Sequence, residues 1–227
     1  MERFTGFADA DARFFKQLAR HQDRAWFAAR KDAFEAGYNL PMKALLAELR
    51  EAIDKQFPHC DLGEPKVFRI FRDVRFSKDK SPYKTHIGGY VPVKSGAKGA
   101  DGPVAVYMHV GAKESFAGSG HYMMEGATLD RFRAAVVDAA RGKDLDAILA
   151  RLKKKGYAAS AHAALKRVPK GFDPEHPRAE LLKGKGLTLE FPDLPKGILA
   201  SPKLLPWLTA GAKDVAPFVE WLVFATA

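Results

Sequence analysis

Hydrophobic positions change their spacing twice along this chain. Between Phe14 and Ile53 they recur every three or four residues, the period of a helix with one buried stripe. Phe14, Phe15 and Leu18 form the first stripe, in a helix that Asp9 or Asp11 can cap and that runs to Arg20. A second helix begins near Asp23 and carries Trp26, Phe27, Ala33 and Phe34. A third starts at Pro41, behind Asn39, and buries Leu45, Leu46, Leu49 and Ile53. Pro58 and Gly63 then punctuate the chain.

From Lys66 the period falls to two, the signature of strands. Phe68, Ile70, Val74 and Phe76 share one face, interrupted by Arg72, and Tyr83, Thr85, Ile87, Gly89 and Val91 alternate in the same way. The loop Ser77–Pro82 joins these runs as an antiparallel hairpin. Val104, Val106, Met108 and Val110 mark another strand after an exposed Gly- and Lys-rich tip at Lys94–Gly102, and Ser115–Met124 is its expected partner. Helical spacing returns at Thr128–Ala140 and Asp144–Lys155. Leu187, Leu189 and Phe191 give a late strand, and a terminal helical region opens at Ser201-Pro202 with Val215, Phe218, Val219 and Leu222 on one face. The expected class is α+β. A mostly antiparallel sheet, about residues 66–124 plus a late strand near 186–191, packs against N-terminal, middle and C-terminal helices. With no repeat and no linker, residues 1–227 read as one domain.

Charge adds to this picture. The formal net charge is +10 and the pI near 9.6, which favour anionic partners such as phosphorylated small molecules or nucleic acid. Cys60 is the only cysteine, so no disulfide can form within the chain and a reducing cytoplasm is expected. The N-terminus lacks a signal-peptide pattern, and no apolar run reaches the roughly 20 residues of a membrane span.

The candidate chemistry gathers between Arg69 and His86, where six Lys or Arg stand against two Asp. If Phe76 faces Tyr83, then Arg75 faces Lys84 and Asp73 faces His86, and the charged side chains leave the hairpin on one side. Arg75 opposite Lys84 is a like-charge pair that wants a carboxylate or a bound anion between its members. Asp73 opposite His86 is a candidate acid/base pair, with the carboxylate expected to raise the imidazole pKa. Arg69, Arg72, Arg75, Ser77, Lys78, Lys80 and Lys84 are the candidate ligand-binding residues, supplying guanidinium, ammonium and hydroxyl donors to an anion. Asp73 and His86 are the candidate catalytic residues. A solvent-facing ion-pair network would use the same residues, and spacing alone leaves both readings open.

The stretch FRIFRDVRFSKDKSPYKTHIGGY resembles the signature of an uncharacterised, mainly bacterial family, domain of unknown function 2461. GFADADARFFKQLARHQDRAWFAARK near the start and VPKGFDPEHPRAELL near the end extend the resemblance over almost the whole chain. His21-Gln22 stands where the family tends to carry asparagines. The resemblance implies membership without a reaction, and it implies a functional surface at Arg69–His86 that Arg24, Trp26 and Lys31 border.

Other motifs carry less. Trp26, Arg30 and Lys31 fit a core tryptophan with outward cations. His86, His109 and His121 show no metal-protein spacing, and neither a metal nor a cofactor is expected. GSGHY at Gly118–Tyr122 lacks the Gly spacing and Lys-Ser/Thr ending of a phosphate loop. Ser77 and Ser81 have no nucleophile-elbow context. Arg151–Lys155 and Lys166–Lys170 form a second basic zone, either a solvated helix end or part of a nucleic-acid stripe. Three functions follow: binding of a phosphorylated or other anionic ligand, acid/base catalysis on such a substrate, and sequence-nonspecific nucleic-acid binding.

Overall fold

The computed structural model describes residues 3–75, 79–95 and 104–227. Its N-terminal part is helical. Short helices α1 (Arg13–Leu18), α2 (Arg24–Ala28) and α3 (Lys31–Phe34) lead through a π-helical turn, Glu35–Asn39, into α4 (Leu40–Ile53). Asp9 and Asp23 cap as the sequence predicts, whereas Asn39 lies in continuous helical backbone and its side chain makes no capping bond. The Asp9 carboxylate accepts the Arg13 and Phe14 N–H groups at 3.1 and 2.8 Å and the Tyr38 hydroxyl at 2.7 Å. Asp23 accepts the Trp26 N–H at 2.7 Å. The single helix expected from Asp23 to Phe34 is broken at Arg30. Phe14, Phe15, Phe27, Phe34 and Tyr38 converge into one aromatic cluster, with Phe15 and Tyr38 centroids 4.4 Å apart.

The sheet contains β1 (Asp61–Leu62), β2 (Lys66–Val67), β3 (His86–Lys94), β4 (Val104–Gly111), β5 (Ser115–His121), β6 (Ala158–Ser160) and β7 (Leu187–Glu190). Its order is β1-β3-β4-β5-β7-β6, with β2 also on β3, and these pairs are antiparallel. The fold is therefore α+β with a mostly antiparallel seven-stranded sheet, as expected. The sequence missed β1 and β6, which are only two and three residues long and carry no alternation to detect.

Helices α5 (Gly126–Val137) and α6 (Ala139–Lys154) follow β5, and α7 (Ala179–Lys183) precedes β7. The terminal helix α8 (Leu204–Thr226) runs 23 residues. The break between α5 and α6 falls at Asp138, whose carboxylate accepts the Arg141 N–H at 2.8 Å. Helices α4 and α8 pack on one face of the sheet, and α5 and α6 pack on α8. Ile87, Val91, Val106, Met108, Val110 and Ala117 are the buried side chains on that face, reached by period-two alternation along three strands. Burial of such side chains contributes roughly 1.5–3 kcal/mol apiece, so this face dominates the stability of the sheet. No helix among the described residues is long and apolar enough to cross a membrane.

The expected hairpin is corrected in length and register. Only Lys66–Val67 is strand before the loop, paired with Tyr90 and Gly89. Beyond it the chain runs alongside β3 and its lead-in through the Phe68 N–H to the Gly88 carbonyl, the Lys84 N–H to the Ile70 carbonyl and the Arg72 N–H to the Pro82 carbonyl. Phe71, not Phe76, stands opposite Tyr83. Tyr83 fixes this register from outside the hairpin. Its ring stacks on Phe27 with centroids 4.5 Å apart, and its N–H donates to the Gln22 side-chain oxygen at 3.0 Å.

Candidate functional site

Among the described residues, the second face of the sheet carries a layer of half-buried rings. His86 and Tyr90 of β3, Tyr107 and His109 of β4, and Phe116 of β5 alternate with the buried set and are half-buried. Phe68, just past β2, joins them with 45 % of its surface exposed. These rings touch. Phe68 lies 5.4 Å from Tyr90 and 6.4 Å from Tyr107, His86 lies 4.3 Å from His109, and His109 stacks on Phe116 at 4.8 Å. Gly88 makes room for this layer, because a Cβ there would come within 2.3 Å of the Tyr107 hydroxyl. That hydroxyl is 2.9 Å from His109 Nδ1. Burial pushes the Tyr107 pKa up to about 12, so the phenol keeps its proton at neutral pH, and the direction of its hydrogen bond with Nδ1 follows the imidazole tautomer.

The register places the charged residues differently from expectation. Asp73 does not face His86: its carboxylate accepts Arg75 Nε and Nη2 at 3.0 and 2.7 Å, and these hydrogen bonds hold it at about 2. Arg75 is therefore paired with Asp73 rather than set against Lys84. Lys80 donates to the Val74 carbonyl at 2.8 Å, and Asp79 accepts the Ser81 N–H at 2.9 Å while pairing with Arg72 at 3.3 Å. These contacts stand where a tight strand pair was expected. Ser77 and Lys78 lie outside the described residues, as does the tip between residues 96 and 103.

His86 is corrected as well. Its pKa moves down to about 4, through burial first, then the charges of His109, Lys84 and Arg72, with Glu114 opposing. Burial brings His109 to about 4 also. At neutral pH both imidazoles are uncharged rings with nitrogen donors and acceptors, and the expected carboxylate–imidazole pair is not assembled.

Arg69, Arg72 and Lys84 do converge. Lys84 Nζ sits 5.3 Å from the Phe68 ring, and its pKa is lowered by burial, then by the charges of Arg69 and Arg72. Among the described residues neither Arg69 nor Lys84 has a carboxylate within 4 Å. Arg72 reaches Asp79 and the Tyr83 carbonyl, yet its Nε is buried without a hydrogen-bond partner among the described residues. Among the described residues only Arg72 of these three cations pairs with a carboxylate, that of Asp79, while Asp73 acts on Arg69 from farther away, and Phe68 lies beside Lys84. Phe68–Phe71, Arg69 included, also line an open groove of about 550 Å³ together with Glu35, Asn39 and Lys43.

The remaining candidates separate from this centre. Trp26 is half-buried, with the Arg30 guanidinium 4.5 Å from its ring centroid and His21 stacked on it at 5.5 Å. It is Gln22 and Phe27 that touch Tyr83, so Gln22 serves the loop as a backbone acceptor. Arg151, Lys153 and Lys154 occupy the last turn of α6, where cations complement the helix dipole, and Lys155 pairs with Asp214 at 2.6 Å. Burial pushes the Cys60 thiol up to about 11, away from thiolate chemistry. Among the described residues no group of three or more His, Cys, Asp or Glu converges to hold a metal ion. Sequence reasoning missed Tyr107, Phe116 and Glu114. The alternation that buries Val106, Met108 and Val110 already puts Tyr107 and His109 on the opposite face, and that was the available signal.

A family model described as "Conserved hypothetical protein (DUF2461)" matches residues 11–221. The chain belongs to this family. The match takes in the N-terminal helices, the loop with its cations and the whole sheet, so the DUF2461 region contains every part of the site just described. Comparison with curated proteins and with solved structures finds no match.

Proposed function

We propose that this protein binds a phosphorylated small molecule, or an anion of similar charge, on Arg69, Arg72 and Lys84 at the edge of the open sheet face. The observation that carries the reading is the convergence of Arg69 and Arg72 on a half-buried Lys84, with only Arg72 of the three paired to a carboxylate among the described residues. Like charges held this close favour a bound anion, which would gain charge-assisted hydrogen bonds from a forked guanidinium and a mobile ammonium. Arg75 and Lys80, which the sequence placed in the same set, serve the loop through Asp73 and the Val74 carbonyl. His86 contributes a neutral ring beside the anion rather than a charge. The lone Cys60 fits a cytoplasmic location.

The test is calorimetric titration of the full chain at low salt with inorganic phosphate and ribose 5-phosphate. Binding is expected for the wild type and at least tenfold weaker for Lys84→Ala and Arg72→Ala proteins that fold normally. Wild-type protein that binds neither compound would overturn the reading. A DNA or RNA duplex bound with a steep salt slope, and equally well by Lys84→Ala, would replace it with nonspecific nucleic-acid binding.

A further inference from the structure

The anion site opens directly onto a surface of rings, and this adjacency identifies the rest of the ligand. Building on the anion-binding reading above, we infer that the ligand is a nucleotide-sized molecule: its phosphate sits on Lys84 and Arg72, and its flat heteroaromatic ring lies against Phe68 on the open sheet face.

Phe68 is the unusual residue. A large apolar side chain with 45 % of its surface exposed is ordinarily free to move, but this ring is held between Tyr90 at 5.4 Å and Tyr107 at 6.4 Å. It is thus a ring held by its neighbours and still partly exposed, the kind of side chain on which bases stack. The Lys84 ammonium is 5.3 Å from the same ring. A phosphoryl oxygen at the usual charge-assisted distance of about 2.8 Å from that ammonium is within one sugar's length of a ring stacked on Phe68. On the same sheet face, His86, His109 and the Tyr107 hydroxyl carry donors and acceptors suited to the polar edge of a base.

The distribution of charge argues for one nucleotide rather than a strand. A protein that follows a nucleic-acid backbone spreads its cations along the path. Here the cations stand on the β2–β3 side of the face: Arg69, Arg72 and Lys84 converge near Phe68, and the register adds Lys66 opposite Tyr90 and Lys94 at the far end of β3. Farther across the same face the register brings Thr188 and Glu190 of β7 and Ala158 and Ser160 of β6, which include no cation and one acid.

The experiment compares affinities of the full chain, at one low salt concentration, for inorganic phosphate, ribose 5-phosphate, adenosine and uridine 5′-monophosphates, and a ten-residue oligothymidylate. At least one monophosphate is expected to bind tenfold or more tightly than ribose 5-phosphate. Phe68→Leu should erase that gain and leave ribose 5-phosphate affinity unchanged, whereas Phe68→Tyr should keep it. Phe68→Leu retaining the gain would overturn the inference. So would equal affinity for ribose 5-phosphate and both nucleotides in the wild type, which leaves the anion site standing. Failure of every phosphate compound would remove the anion site along with it. An oligothymidylate that binds far more tightly than either mononucleotide would also overturn the inference, in favour of a strand-binding face.

Discussion

Gly88 and Gly89 are neighbours on β3, yet they look into different worlds. A Cβ on Gly89 would meet the Leu46 side chain at 2.5 Å and the Lys66 carbonyl at 2.9 Å, inside the helix-covered core. A Cβ on Gly88 would meet only the outer end of the Tyr107 side chain, on the open face. The two faces of this sheet use the same alternation and similar numbers of large side chains. Only one is closed by helices. The closed face spends its apolar surface on stability, and the open face keeps rings, imidazoles and cations at a surface where a small molecule can reach them.

Substitutions can break this contrast in graded steps. The largest effect is expected at Met108, which is fully buried under α8: Met108→Ala should cost about 2–5 kcal/mol by chemical denaturation. A loss below 1 kcal/mol would show that this face is not the one that holds the sheet together. Gly89→Ala should cost about 1–3 kcal/mol, because Lys66 backbone cannot move aside as a side chain can. Gly88→Ala should cost less than about 1 kcal/mol, since the Tyr107 ring can swing away, but it should break the Tyr107–His109 hydrogen bond and weaken nucleotide binding. Equal costs at the two glycines would erase the distinction between the faces.

The pH dependence tests the open face directly. Unfolded histidine takes up its proton near 6.5, whereas folded His86 and His109 do so at about 4. The unfolded state therefore binds more protons between these values. Stability should be complete above pH 6.5 and decline as pH falls toward 4. His121, buried on the closed face with its pKa also lowered, adds to the same slope. A His86→Asn, His109→Asn double variant should consequently flatten the decline of melting temperature over this window without abolishing it. An unchanged profile would contradict the burial of these rings.

The smallest effects sharpen the role of the loop charges. Lys84→Met removes a cation from two like neighbours, so its melting temperature should equal or exceed that of the wild type while phosphate binding falls at least tenfold. A protein destabilised by this change would argue that Lys84 holds the fold. Asp73→Asn, at an exposed pair with Arg75, should leave the melting temperature within measurement error.

Much of this was readable from residue order. Helical stripes located α1 and α4, alternation located β3, β4 and β5, and Asp9 and Asp23 marked the starts of α1 and α2, because each of these features depends on neighbours within a few residues. Arg69, Arg72 and Lys84 stand close along the chain whatever the register, so residue order already brought them into one neighbourhood. The pairing of Asp73 with His86 was not readable in the same way. Val74 and Phe76 continue the alternation of a strand, so local pattern extended the hairpin past the point where the chain leaves it. The actual register comes from Phe27 stacking on Tyr83 and Gln22 holding the Tyr83 N–H, contacts between segments some sixty residues apart.

The same division separates the two faces. Alternation alone states that Val106 and Met108 look one way and Tyr107 and His109 the other. It does not state which side α4 and α8 will cover, because that follows from how remote helices pack, and burial is a property of the packed pair rather than of either strand. Tertiary packing thus decided that the histidines would be neutral, that Arg75 would be satisfied by Asp73, and that Lys84 would stand with two guanidiniums beside an open platform of rings.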